Sequence, residues 1–554
     1  MVSNHRIKEI LAGFVLLLSG FLSYQITRFF GQESQSGMFS GGTTSIFDSS
    51  FIIKFAITFV ILGLIFSVIL IFLTKRFSKK HESNSSNLLN WKQVKNEQKN
   101  LGTDFLITKN EREFKEEQHL LLSQHIKLRQ EKFFQHCLII SATGTGKSAS
   151  ILLPQIKNLD GNISAVVTDP KAELYKKTYR ELVEKGLKPV LLKLDRPEVS
   201  IKYNLLSNCR NPNDVQKLAE AILGAQDDEW GRMGVPLLSA FLFRQYFQGG
   251  TITDVVKDLA ECPQDIYEME LEYFKEEDVN KYSKMAFGQF KKVSGAGNAV
   301  GSLFLTIQGK MKVFEYENIE EISKGDSFKI DSMRREKIVL FISYPEEDSK
   351  TYEPFLSSFY FQVFNILKGD ESVDESAGAA VGLPVYFLLD EFANIGRIPS
   401  MDNLISTIRS KKMGVEIFLQ NIEQLQAVYG NDIAKTIISN CSTKLTMYGN
   451  SEESSKFFSN MAGKKEVESL SVSFGDKGST NYTSSIQEKP VISPDEIRRL
   501  VENEILIITS NIRPIKDYKN YYFRDNLDLW VHNKRISKEN KKRLRKLLKL
   551  ILRK

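Results

Sequence analysis

The sequence predicts an α/β fold with a mainly parallel sheet, preceded by two membrane-spanning helices and interrupted by an all-helical insertion. Three observations carry this. Short, wholly apolar runs recur between helix-patterned stretches, as the buried strands of a parallel sheet do. Two of those runs end in residues suited to phosphate and magnesium chemistry. Two uncharged apolar stretches stand near the start of the chain, each long enough to cross a bilayer.

With 554 residues, 42% hydrophobic and 26% charged, the chain is long enough for two or three folded units and is not a disordered polymer. Four scattered cysteines without a CxxC pair, and six histidines without ligand spacing, argue against a disulfide scaffold and a Cys/His zinc site, and fit a reducing compartment. The net charge of +7 is unevenly placed: residues 1–80 carry +5, residues 533–554 carry +10, and the body carries −8. Overall basicity is therefore no argument for nucleic acid.

The first apolar stretch runs from Ile10 to Thr27 and the second from Phe55 to Thr74, with Lys54 placed to snorkel at the edge. Arg6 and Lys8 precede the first, Lys75, Arg76, Lys79 and Lys80 follow the second, and the intervening loop has no Lys or Arg. The positive-inside rule then predicts a two-span membrane anchor with both termini in the cytoplasm and the short loop outside. A Ser/Asn-rich linker, His81–Asn87, follows.

Beyond it, His136–Ile140 reads as a strand that leads into Ser141-Ala-Thr-Gly-Thr-Gly-Lys147-Ser148 and then a helix. Strand, glycine-rich loop and helix form the phosphate-binding arrangement, with Ser141 where the motif has its first glycine. The stretch Thr143, Gly144, Thr145, Gly146, Lys147, Ser148 and Ala149 is the expected nucleotide contact. Backbone N–H groups cradle phosphates, Lys147 reaches the terminal ones, and the Ser148 hydroxyl ligates Mg²⁺.

A second strand, Val385–Leu389, ends in Asp390-Glu391. Asp390 is assigned to the metal and Glu391 to the catalytic base. Ala165–Thr168, Ile338–Tyr344 and Glu416–Leu419 are further strands. Gln420, at the tip of the last, is either a γ-phosphate sensor or a structural amide. Residues 208–314 lack strands and carry amphipathic runs such as Val235–Tyr246 and Asp265–Lys284, which predict the helical insertion. Lys464–Gln487 is polar and reads as a hairpin or long loop. The tail sets Leu544, Leu547, Leu548, Ile551 and Leu552 at helical spacing among Lys and Arg, a solvated basic helix or a contact for anionic lipid or DNA.

Together these motifs resemble the type IV secretion and conjugation coupling proteins, the TraG/TraD-like family. The resemblance rests on SATGTGKS at Ser141–Ser148, TDPKAELY at Thr168–Tyr175, YNLL at Tyr203–Leu206, LLDEFANIGRIP at Leu388–Pro399, FLQNIEQLQAVYG at Phe418–Gly430 and QEKPVISPDEIRRL at Gln487–Leu500. It implies a RecA-like P-loop motor domain that uses ATP and Mg²⁺, a homo-hexameric ring at the membrane, and transfer of a relaxase–single-stranded DNA complex to the type IV secretion channel. It also implies that Lys147, Glu391 and Gln420 act in hydrolysis, and that Arg409 is the arginine finger, with Arg397 as its rival. Ala172 stands where the family often has glycine.

The organisation expected is a two-helix anchor (1–80), the first part of the motor domain (81–207), the insertion (208–314), the second part (315–532) and a basic amphipathic tail (533–554). Two other readings stand beside the motor: a nucleotide-binding substrate receptor or scaffold without motor activity, and an FtsK-type DNA translocase. The second predicts a longer membrane part and a C-terminal DNA reader.

Overall fold

A computed structural model describes residue 57 and residues 88–91, 93–94, 105–107, 119–159, 162–224, 229–275, 279–293, 299–369, 382–474, 480–510 and 512–523. Apart from Ile57, the expected membrane spans and the basic tail lie outside these residues. No helix among the described residues is long and apolar enough to cross a membrane.

In chain order the strands are β1 (Leu89–Asn90), β2 (Phe105–Ile107), β3 (His119–Leu121), β4 (Ile126–Arg129), β5 (Cys137–Ile140), β6 (Ser164–Thr168), β7 (Lys188–Lys193), β8 (Ile338–Ser343), β9 (Val385–Leu389), β10 (Met413–Leu419), β11 (Thr443–Thr446), β12 (Lys464–Phe474), β13 (Thr480–Pro490), β14 (Glu504–Thr509) and β15 (Ile512–Tyr518). Ten of them form one sheet in the order β1-β15-β14-β11-β5-β10-β9-β6-β8-β7. From β11 to β7 every neighbouring pair is parallel. The antiparallel hairpin β14–β15 extends the sheet beyond β11, and β1 pairs parallel to β15.

The five strands expected from the sequence are β5, β6, β8, β9 and β10. Their side chains are buried along their whole length, so each reads as a mainly apolar run, with Glu416 the one charged residue, in β10. Four boundaries move: β6 begins at Ser164, β8 ends at Ser343, β10 begins at Met413, and β5 begins at Cys137, because His136 is left-handed (φ 61°) and precedes the strand. Its Nε2–H donates to the Ile405 carbonyl (2.7 Å) and its Nδ1 accepts from Val415 N–H (3.2 Å), which fixes the neutral tautomer. Burial pulls its pKa down to about 4. The polar segment after Lys464 forms the two-stranded hairpin β12–β13.

Between β7 and β8 the described residues are helical, including Pro212–Leu223, Glu229–Gln248, Ile252–Glu261, Lys281–Val293, Ala299–Met311 and Glu317–Ser323. These helices do not close a core of their own. A single cluster of buried side chains runs from Leu138, Ile140 and Leu340 on one sheet face, through Phe355 and Phe359 of helix Ser349–Lys368, to Leu218, Phe241 and Phe290 of the insertion. The YNLL segment joins the two: Tyr203 donates to Gln362 (2.9 Å), and Gln362 Nε2 donates to the Leu205 carbonyl (2.6 Å). The opposite face packs Ile139, Val167, Phe341 and Phe418 against helices Leu153–Lys157 and Glu173–Glu184.

Candidate nucleotide site

Parallel strands bring all their C-terminal ends to one edge, and the site is built there. After β5 the chain turns through Gly144 (φ 78°) and Gly146 (φ 88°), conformations that favour glycine. Ser141 needs no such conformation. Its backbone N–H donates to the Leu419 carbonyl (3.0 Å), and its buried Oγ lies 2.7 Å from Thr145 Oγ1. The hydroxyl thus ties the two ends of the loop together where the motif has a glycine. No backbone hydrogen bond among the described residues uses the N–H of Gly144, Thr145, Gly146 or Lys147. Those donors remain available to an anion. The first turn after the loop is π-helical (Ser148–Leu152) before Leu153–Lys157 becomes an α-helix.

Lys147 is buried. Its Nζ lies 3.1 Å from the Ser141 carbonyl, 3.4 Å from the Leu419 carbonyl and 3.4 Å from Glu391 Oε1. Asp390 stands at the tip of β9 with Oδ2 3.4 Å from Ser148 Oγ. Burial, reinforced by the neighbouring Glu391, pushes the Asp390 carboxyl up to about 7, against the opposing pull of Lys147. Glu391 is left-handed (φ 48°), a strained conformation for a side chain of this kind, and its N–H donates to Asp390 Oδ1 (3.1 Å). Gln420 Nε2, from the tip of β10, donates to Glu391 Oε2 (3.1 Å). Lys147, Ser148, Asp390, Glu391 and Gln420 therefore form one connected group, although they come from three strands. Gln420, expected either as a γ-phosphate sensor or as a structural amide, is bonded to the second carboxylate. Thr143 and Gly144 are exposed at the loop's outer bend, Thr145 is buried, and Ala149 is half-buried in the π-turn.

Arg409 is not brought to this group. It is exposed on the turn Ile408–Lys411, before β10, while Gln420 follows β10. The length of β10 separates the two ends by roughly 20 Å. Arg397 is half-buried, just past the acidic tip. Asp169 of the DPK segment is buried and caps helix Glu173–Glu184 by accepting from Tyr175 N–H (2.8 Å), while burial raises its pKa.

One contributor carries no signal in the sequence. After β15 the chain crosses back over the phosphate loop. Lys519 Nζ donates to the Thr145 carbonyl at 2.6 Å, and Tyr522 N–H donates to the Ala149 carbonyl at 3.1 Å. The Tyr521 ring lies so close to Gly146 that a Cβ there would meet it at 3.2 Å.

The family model for type IV secretory system conjugative DNA transfer matches residues 84–550. The chain belongs to this family. Among its curated relatives, VirD4 of Agrobacterium fabrum is 21% identical over 419 residues, covering 71% of this chain and 59% of VirD4. A probable conjugal transfer protein TraG of Sinorhizobium fredii is 23% identical over 418 residues, covering 70% of this chain and 62% of its own. The match thus spans about three fifths of these relatives' length. The fold is similar to that of the plasmid coupling protein TrwB in complex with ADP and Mg²⁺, with a TM-score of 0.57 at 17% identity over 79% of this chain and 94% of TrwB. It is equally similar to TrwB with the ATP analogue ADPNP, with a TM-score of 0.56 at 17% identity and the same coverage. The α/β fold with a mostly parallel sheet is shared with TrwB.

Proposed function

We propose that this conjugative transfer protein is a coupling ATPase of the bacterial cell membrane. In this reading it spans the membrane twice, keeps both termini in the cytoplasm and assembles as a homo-hexamer. It receives a relaxase bound to single-stranded DNA and uses ATP hydrolysis to pass it to the secretion channel. The observation that carries the reading is the gathering of Lys147, Ser148, Asp390, Glu391 and Gln420 at one sheet edge beside a loop whose N–H groups are unused. The TrwB structures with ADP and Mg²⁺ and with ADPNP support it.

The residues fit both ligands. The loop N–H groups and Lys147 would hold the phosphates, and the long contacts of the ammonium give way readily to phosphate oxygens. Ser148 Oγ and Asp390 Oδ2 offer two hard oxygens for Mg²⁺, and a buried carboxyl lifted to about 7 is one that a divalent cation would ionise. Bound there, the metal supplies charge neutralisation on the transferring phosphoryl group. Glu391 accepts the proton of the attacking water, and Gln420 holds the carboxylate in line through its amide. An arginine finger would come from a neighbouring subunit. Arg409 is placed to act only in that way, and Arg397 stands nearer the site edge.

Lys147→Ala should abolish transfer between cells. Glu391→Gln should keep ATP binding and lower turnover by about a hundredfold or more. Transfer by Lys147→Ala at wild-type frequency would end the motor reading. A receptor role is supported beside it by large side chains that the insertion exposes, among them Tyr267, Met285 and Leu305.

A further inference from the structure

We infer that Lys519 is a positioning residue for nucleotide binding, acting on the phosphates through the backbone of the phosphate loop. The inference rests on the nucleotide reading above. The Thr145 carbonyl, which accepts from the Lys519 ammonium at 2.6 Å, and the Gly146 N–H, which has no acceptor among the described residues, belong to the same peptide group. An ammonium on the carbonyl oxygen draws electron density through the amide and makes its N–H a stronger donor. In a phosphate loop that N–H is one of the donors expected to meet phosphate oxygens. Lys519 thereby acts on a ligand it does not touch.

The side chain is held in place by construction. The side chain is 3% exposed, and its Nζ sits 4.6 Å from the ring centre of Tyr448 and 6.0 Å from that of Tyr521. Its own N–H donates to the Asn503 carbonyl (2.7 Å), so the hairpin β14–β15 fixes the backbone from which it reaches. Tyr521 fills the space against Gly146, and Tyr522 closes the Ala149 carbonyl behind the loop. Lys147 is the lysine that motif reading finds. Lys519 supplies a second ammonium, bonded to a backbone carbonyl of the loop and so set to pull on the peptide and not on the phosphate.

The test uses the full chain in detergent, with fluorescent ATP-analogue affinity, steady-state hydrolysis and inhibition by inorganic tripolyphosphate measured on wild type, Lys519→Met and Lys519→Arg. Wild-type binding is the control for the nucleotide reading itself; if wild type binds no nucleotide, that reading fails. With wild type binding, Lys519→Met should weaken both the ATP analogue and tripolyphosphate about tenfold. It should raise KM with a much smaller change in kcat, and Lys519→Arg should recover most of the loss. Unchanged affinity in a folded Lys519→Met would overturn the proposal, as would a loss for ATP that spares tripolyphosphate. If Lys519→Met does not fold, Lys519→Gln carries the same comparison, since it keeps a neutral donor to Thr145. Wild-type tripolyphosphate inhibition in that variant is equally decisive against the charge.

Discussion

Glu416 lies at the centre of β10 and is fully buried, with Gln155 Nε2 donating to its Oε1 at 3.0 Å. Its Oε2 and Gln155 Oε1 have no hydrogen-bond partner. Burial pushes the Glu416 carboxyl up to about 8, so the folded chain keeps a proton that the unfolded chain releases near 4.5. Stability is therefore fullest below 4.5, falls as pH rises towards 8, and levels off above it. Glu416→Gln, which brings a donor to the two unpaired acceptors, should remove this slope and stabilise the chain on the order of 3 kcal/mol at pH 7. Urea titrations of both proteins at pH 5, 7 and 8.5 check it: the gain should grow with pH, and a gain equal at all three values would contradict the assignment. Two further residues hold costly conformations for different reasons. Ala172 (φ 54°) begins helix Glu173–Glu184 where the resemblance leads one to expect glycine. The strain at Glu391 lies at the reacting edge, where it aims a carboxylate at Lys147.

At the scale of elements, the phosphate loop, the acidic strand tip and Gln420 were legible because each is written within a few consecutive residues. A strand followed by its functional tip is local information. The outer strands of the parallel block were not legible: β11 (TKLT), which joins it to the β14–β15 hairpin, is short and mostly polar, and the edge strand β7 (KPVLLK) opens with lysine and proline. Lys519 is hidden for another reason. It meets Thr145 across 374 positions, and a lysine in a polar stretch has no periodicity to mark it. Arg409 shows the converse limit, since sequence order places it between the acidic tip and Gln420 while the return run of β10 carries it to the far end of the sheet. The insertion also looks more separable in sequence than it is. Leu218 and Ile222 share one buried cluster with Phe355 and Phe359, so deleting 208–314 would expose that cluster to water. Such a deletion should yield aggregated protein in size-exclusion chromatography. Exchange of the exposed Tyr267 and Leu305 for serine should leave a monodisperse protein in which relaxase pull-down can be scored.

At the scale of the whole molecule, the acidic body between basic ends constrains how DNA can be held. A net charge of −8 over residues 81–532 gives no broad attraction, so any single-stranded DNA contact must come from a few local cations repeated around an assembly. Binding measured between 50 and 200 mM salt should then fall with a log–log slope of about −0.7 for each phosphate engaged. A flat response would remove the phosphate-tracking channel from the proposal. The ten-stranded sheet has a matching asymmetry. Its parallel half carries the chemistry, and the half formed by β14, β15 and β1 carries the segment that leans on the loop.

That second half also contains a means of observing the first. Trp91, beside β1, stacks on His125 at 4.2 Å with the rings 9° from parallel. His125 Nδ1 is bonded to Asp517 Oδ1 at 2.8 Å, in the strand that continues into Lys519. An indole lying flat on an imidazole has its emission quenched by that neighbour. Any shift of β15 that moves Lys519 against the phosphate loop would also change the stacking, so Trp91 works as a natural optical gauge of strain between the start of the folded unit and its nucleotide loop.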